Sequence, residues 1–123
     1  MVFVETCAFR QRLADFMDDA AFRVLQNELV ANSERGEVMP GCAGLRKIRV
    51  GHEKRGKGKR GGARVIYLSI PELQRIYFVT IYGKNERDDL TEKEKKILAA
   101  LASRIKAEAR PRIQGEESRS NHG

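Results

Sequence analysis

At 123 residues the chain is one domain's worth of sequence, and its 41% hydrophobic and 33% charged residues supply one modest core. Lys plus Arg number 24 against 17 Asp plus Glu, a net charge of +7 that excludes an acidic solvating protein and favours a polyanionic partner. No apolar run approaches the roughly 18 residues of a membrane span, Met1–Glu5 lacks the basic start of a signal peptide, and Cys7 and Cys42 fit neither a disulfide framework nor a zinc pattern. The expected setting is therefore a reducing cytoplasm, with no membrane partner.

Taken in chain order, residues 2–8 are β-prone and read as a first strand. Phe9, Leu13, Phe16 and Met17 then recur at helical spacing. Asp18 or Asp19 can cap a second helix with Phe22, Leu25 and Leu29 on its apolar face, running to about Asn32. Gly36, Pro40, Gly41 and Gly44 mark a connecting loop. In the strand 45–50, Ile48 and Val50 fall on one face and Lys47 and Arg49 on the other. The glycine-rich, basic stretch 51–62 reads as a hairpin tip. Residues 63–70 and 75–83 are the strongest strands, with Pro71–Gln74 as their turn. Thr91 and Glu94 form a capping box before a helix through Ile97, Leu98, Leu101 and Ile105. After Arg110 and Pro111 the composition turns polar, so 110–123 is expected to be a disordered tail. The order β-α-α-β-β-β-α predicts a small α+β domain over 1–109. Its antiparallel sheet, mixed at one edge, would carry two N-terminal helices and a C-terminal helix against one face.

The positive charge is concentrated. Between Arg46 and Arg64 stand nine basic residues (Arg46, Lys47, Arg49, Lys54, Arg55, Lys57, Lys59, Arg60 and Arg64) and one acid, Glu53, or +8 in 19 residues. The rest of the chain therefore sums to 7 − 8 = −1. Clustered cations bind phosphates by displacing condensed counterions. A merely solvated loop of this charge would repel itself.

Three chemistries are poorly supported. Gly51–Gly58 (GHEKRGKG) nearly spells a phosphate-binding loop, but Gly58 replaces the hydroxyl residue and a strand follows instead of a helix. The acids Glu86, Asp88 and Asp89 lie just before the last helix, where they suit its dipole, so no metal site is expected. His52 in the loop and His122 in the tail make a two-histidine ribonuclease untenable. Lys, Arg and Tyr remain. Sheet parity groups Lys47 with Arg49 and Tyr82 with Lys84, with Arg64 beside the basic tip and Tyr67 further along its strand. Such a set can support cofactor-free RNA cleavage: the ribose 2′-OH attacks the adjacent phosphate, Arg and Lys neutralise the phosphorane, and Tyr or Lys moves protons. A tyrosine can instead stack on a base or simply fill the core.

Three stretches, Leu45–Val50 (LRKIRV), Gly58–Tyr67 (GKRGGARVIY) and Ile81–Leu90 (IYGKNERDDL), resemble the RelE/ParE superfamily of bacterial toxins, and its HigB branch most closely. The likeness runs from about Val2 to Glu108. It implies a RelE-like fold and a ribosome-dependent mRNA endonuclease that cuts the A-site codon and is restrained by a cognate antitoxin. Carried over by position, Lys47 and Arg49 correspond to the family's basic strand residues, Arg64 to its phosphate-binding arginine, and Lys84 to its Gly-Lys turn. Tyr82 or a lysine of lowered pKa is then the candidate general base. Arg46, Lys54, Arg55, Lys57, Lys59, Arg60 and Tyr67 are the expected RNA- and ribosome-binding residues. Asn85 stands where some members have a catalytic arginine, and no tyrosine follows Tyr82. The competing readings are a ParE-like gyrase inhibitor on the same scaffold and a non-catalytic RNA- or ribosome-binding module.

Overall fold

A computed structural model describes residues 1–51, 62–84, 86–87 and 89–122, with 110–122 described as helical backbone only. Strand β1 (Val2–Glu5) leads through Thr6 into α1 (Cys7–Leu13), and α2 spans Asp19–Ala31. A short β2 (Glu37–Val38) precedes β3 (Arg46–Val50), β4 (Ala63–Ile70), β5 (Arg75–Gly83) and α3 (Glu92–His122). The caps follow the sequence. The Thr6 hydroxyl accepts from the Phe9 amide at 3.1 Å, and the Asp18 carboxylate accepts from the Ala21 amide at 2.8 Å. Thr91 and Glu94 bond each other's amides reciprocally, at 3.1 and 2.9 Å. The Thr91 amide and the Arg87 guanidinium hold the Glu94 carboxyl below the usual carboxylate range.

The strands form one sheet in the order β1-β5-β4-β3-β2. All neighbours are antiparallel except β1 and β5, which run parallel from Val2↔Arg75 to Glu5↔Phe78. This is the α+β, mixed-edge sheet expected, with β2 as an added edge. The helices, however, cover both faces rather than one. On one face Phe9, Phe22, Leu25 and Leu29 of α1 and α2 bury Ile48, Val65, Phe78 and Ile81. On the other, Ala102, Ala109 and their α3 neighbours cover Ile66, Leu68, Val79 and Tyr82. Strands β4 and β5 are buried on both sides, which is why they read as near-continuous apolar runs rather than as alternating ones. The helical backbone continues past Arg110 to His122, and Ala109 is the last α3 residue described as packing on the sheet.

The strand partner of Ile66 is Thr80 and that of Tyr67 is Phe78, so Val79 is an extra residue, a β-bulge. Its carbonyl accepts the Thr6 hydroxyl at 2.7 Å. The bulge inverts the side-chain alternation of β5. Phe78 points into the α1/α2 core, stacked on Phe9 and Phe3, while Tyr82, four residues on, faces the α3 side. In an unbroken strand these two would share a face.

Two residues expected at the RNA interface are structural. Tyr67 is fully buried. Its hydroxyl donates to the Ser33 carbonyl at 2.9 Å and accepts from the Gly36 amide at 2.8 Å. A Cβ on Gly36 would meet the Tyr67 ring at 2.8 Å, so glycine is needed for this approach. Arg46, the strand partner of Tyr67, donates through one Nη1 to the carbonyls of Glu34 (3.1 Å) and Gly36 (2.8 Å). Together they fasten the α2–β2 connection to the sheet, with the Tyr67 hydroxyl and the Arg46 Nη1 both engaged by main-chain groups. Tyr67→Phe strands a buried amide and a carbonyl, and is expected to lower stability by about 1–3 kcal/mol in denaturant melts. Thr91→Ala, which loses a helix cap, is expected to cost about 1 kcal/mol by the same measurement.

Candidate active site at the open end of the sheet

Strand register assembles the cationic site. Arg49 of β3 pairs with Arg64 of β4, which pairs with Tyr82 of β5, a row of three on the α3 side of the sheet. Lys47 lies one pleat away on the same face, opposite Ile66. Lys84 follows β5 directly; its amide donates to the Gly62 carbonyl at 3.0 Å, and its side chain is exposed. The five site residues deduced from the sequence, Lys47, Arg49, Arg64, Tyr82 and Lys84, thus converge on one end of three adjacent strands. Lys54, Arg55, Lys57, Lys59 and Arg60 lie outside the described residues.

The row is electrostatically loaded. Like charges directly opposite one another across an antiparallel pair destabilise it, and Arg49 and Arg64 are such a pair. Arg64 is 5% exposed, and its Nη1 donates to the Ala63 carbonyl at 3.4 Å, so the guanidinium is held in place by packing. Arg49, by contrast, is exposed.

Tyr82 is buried with its hydroxyl unpaired among the described residues. Burial pushes its pKa up, Asp89 pushes the same way, and the cations Arg64, Arg87 and Lys95 oppose them. The shift keeps the phenol in its protonated form, in which it cannot act as a base.

The segment before α3 does more than complement a helix dipole. Glu86 pairs with Arg12 of α1, which also donates to the Ile81 carbonyl at 2.8 Å and lies over the Phe16 ring. Arg87 pairs with Glu94. Asp89 is bracketed by Lys47 (3.5 Å) and by Lys95 of α3 (3.1 Å). Sequence reasoning missed Asp89 and Lys95 as parts of the site. Lys47 lies far from both along the chain, and only the fold joins them. Burial tends to raise the Asp89 carboxyl, but the Leu90 amide and the two lysines outweigh it and hold the pKa low. Among the described residues no three His, Cys, Asp or Glu side chains gather as metal ligands, and no helix is long and apolar enough to cross a membrane.

A carboxyl with a lowered folded-state pKa stabilises the fold above its unfolded value, and that contribution is lost as pH falls through the folded value. Asp89→Asn is therefore expected to cost less than about 1 kcal/mol at neutral pH, as suits a half-exposed pair. The difference from wild type should disappear below the ordinary carboxylate range in pH-dependent denaturant melts.

Residues 21–116 match the family described as the RelE toxin of the RelE/RelB toxin–antitoxin system. The match covers most of the chain and takes in α2 from residue 21, the whole cationic row and α3 as far as residue 116. The chain belongs to the RelE toxin family.

Proposed function

We propose that this toxin is a metal-independent endoribonuclease that cuts mRNA in the ribosomal A site and so arrests translation. The observation that carries the reading is the cross-strand row Arg49–Arg64–Tyr82, flanked by Lys47 and Lys84. Two arginines in register on one face of adjacent strands make a cationic surface that suits an anion. The diester phosphate of RNA is such an anion, and its charge grows as the phosphorane forms. Arg64, held by burial, and Arg49, Lys47 and Lys84 around it together supply positive charge for a phosphate.

In the reaction the 2′-OH oxygen bonds to the adjacent phosphorus, the bond to the 5′-oxygen breaks, and a 2′,3′-cyclic phosphate and a 5′-hydroxyl result. The 2′-OH proton passes to a base, and the departing oxygen gains a proton. Tyr82, held protonated, is assigned the second role rather than that of base. A lysine of the row, with Lys84 as the exposed one, is then the candidate base.

The partners implied are mRNA, the ribosome and a cognate antitoxin that covers or distorts the row. Placement within the HigB branch rests on the motifs at 58–67 and 81–90 and belongs to this same proposal.

The test is the mapping of mRNA 5′ ends after a brief pulse of expression without antitoxin. New ends in codon register within translated messages are expected for wild type, and are expected to vanish in Lys84→Ala and Arg64→Ala at equal protein abundance. Growth arrest without new ends would remove the nuclease and leave gyrase inhibition or ribosome blockade. Each substitution is expected to lower the cleavage rate by about a hundredfold or more, the scale of losing one transition-state charge donor.

A further inference from the structure

Asp89 stands in an unusual position for an acid in a site built to attract anions. Its two carboxylate oxygens are shared between two ammonium groups from different elements. Oδ1 is 3.5 Å from Lys47 Nζ on β3, and Oδ2 is 3.1 Å from Lys95 Nζ on the first turns of α3. The only other contact described for this carboxylate is the amide of Leu90, at 2.8 Å. The three side chains line one side of a cleft of about 130 Å³. Met39, Pro40 and Cys42, with Glu37 and Val38 of β2, line the rest. Other acids stand nearby: Glu37 is the strand partner of Lys47, and Glu92 lies 3.6 Å from Lys95. Both lysines are about one quarter exposed, and Asp89 somewhat under half.

We propose that Lys47 and Lys95 form a backbone-phosphate subsite beside the Arg49–Arg64–Tyr82 row, and that the Asp89 carboxylate occupies this subsite in the free protein and yields it to RNA. The inference rests on the RNA-cleaving reading and extends it to α3, which contributes no residue to the row itself. Two ammonium groups straddling one carboxylate, each on its own oxygen, would serve a phosphate diester through its two non-bridging oxygens in the same way. Ion pairs exposed to this degree contribute little to stability, so an incoming phosphate displaces the carboxylate at small cost. Asp89 acts on Tyr82 as well, since its charge helps to keep the phenol protonated. Displacing it by a phosphate of equal charge leaves that influence in place, so the exchange does not switch the donor off.

The experiment measures binding of a short 2′-O-methyl RNA, which lacks the attacking hydroxyl and is not cut, over a range of salt. Asp89→Asn keeps the acceptor for the Leu90 amide and removes the charge. It is expected to bind the RNA about twofold to fivefold more tightly than wild type, the equivalent of one exposed ion pair released. Lys95→Ala is expected to weaken binding and to reduce the salt slope by about 0.7, the contribution of one single-strand phosphate. In Asp89→Asn/Lys95→Ala the gain disappears. Asp19→Asn, which removes a remote acid at the start of α2, controls for net charge and is expected to leave affinity unchanged. Equal tightening by Asp19→Asn, or no tightening by Asp89→Asn while wild type binds RNA, overturns the proposal.

Inorganic phosphate serves as a second probe, read by NMR of the lysine ammonium groups. Phosphate that shifts the Lys47 and Lys95 resonances more strongly in Asp89→Asn than in wild type, with no RNA binding by either protein, would uphold an anion subsite and sink the RNA reading. Neither probe binding at the two lysines would sink both.

Discussion

The geometry of the site depends on one extra residue in β5. Without the bulge at Val79, a strict alternation would carry Phe78 and Tyr82 to the same face, and either the aromatic core or the Arg49–Arg64–Tyr82 row would lose its member. With it, Phe78 completes the stack with Phe9 and Phe3, while Tyr82 comes level with Arg64 on the opposite side. The bulge is itself held. Thr6, which caps α1, places its hydroxyl on the Val79 carbonyl, and its amide donates to Phe78 at 3.1 Å. One threonine thus joins the start of a helix, the irregular point of the central strand and, through parity, the placement of the buried phenol.

Around that constraint the chain separates its cations into two kinds. Arg12 and Arg46 are struts. Their guanidinium groups are engaged by main-chain carbonyls and by Glu86 or Glu34, and each ties a helix or loop of the α1/α2 layer to the sheet. Lys47, Arg49, Arg64 and Lys84 stand at the open end of the sheet, two of the four side by side in register. A small domain that is near neutral outside one short segment can carry such a concentration, because the apolar burial on both faces of β4 and β5 supplies the stability that charge repulsion removes.

Much of this was legible in the chain, and the limits are physical. The caps at Asp18 and Thr91, the bounds of β4 and β5, and the grouping of Lys47 with Arg49 depend on local chemistry and on a period of two, both visible in sequence. The bulge was not, because Val79 is an ordinary strand residue and nothing in its neighbours marks an insertion. The coverage of both faces is suggested by the unbroken apolar runs of β4 and β5, a signal that alternation-based reading passes over. Arg46 and Tyr67 look like interface residues because their types suit nucleic acid. Only the fold shows that Gly36 and Ser33 claim the tyrosine hydroxyl and that Gly36 and Glu34 claim the guanidinium. Asp89 and Lys95 belong to the same class of hidden information, since their partner Lys47 is remote in sequence.

The parallel pairing of β1 with β5 has a consequence for how this protein comes into being. The first strand can find its place only beside the last, and the Thr6–Val79 bond spans 73 residues of chain. Strand β1 therefore waits, unpaired, until β5 has been made, and contacts of such long sequence separation make folding slow. The bulge that aligns Tyr82 with Arg64 is secured by the same late contact. Folding of the sheet and completion of the site thus both wait on β5, and a nascent chain stopped short of β5 carries the basic segment without the geometry that directs it.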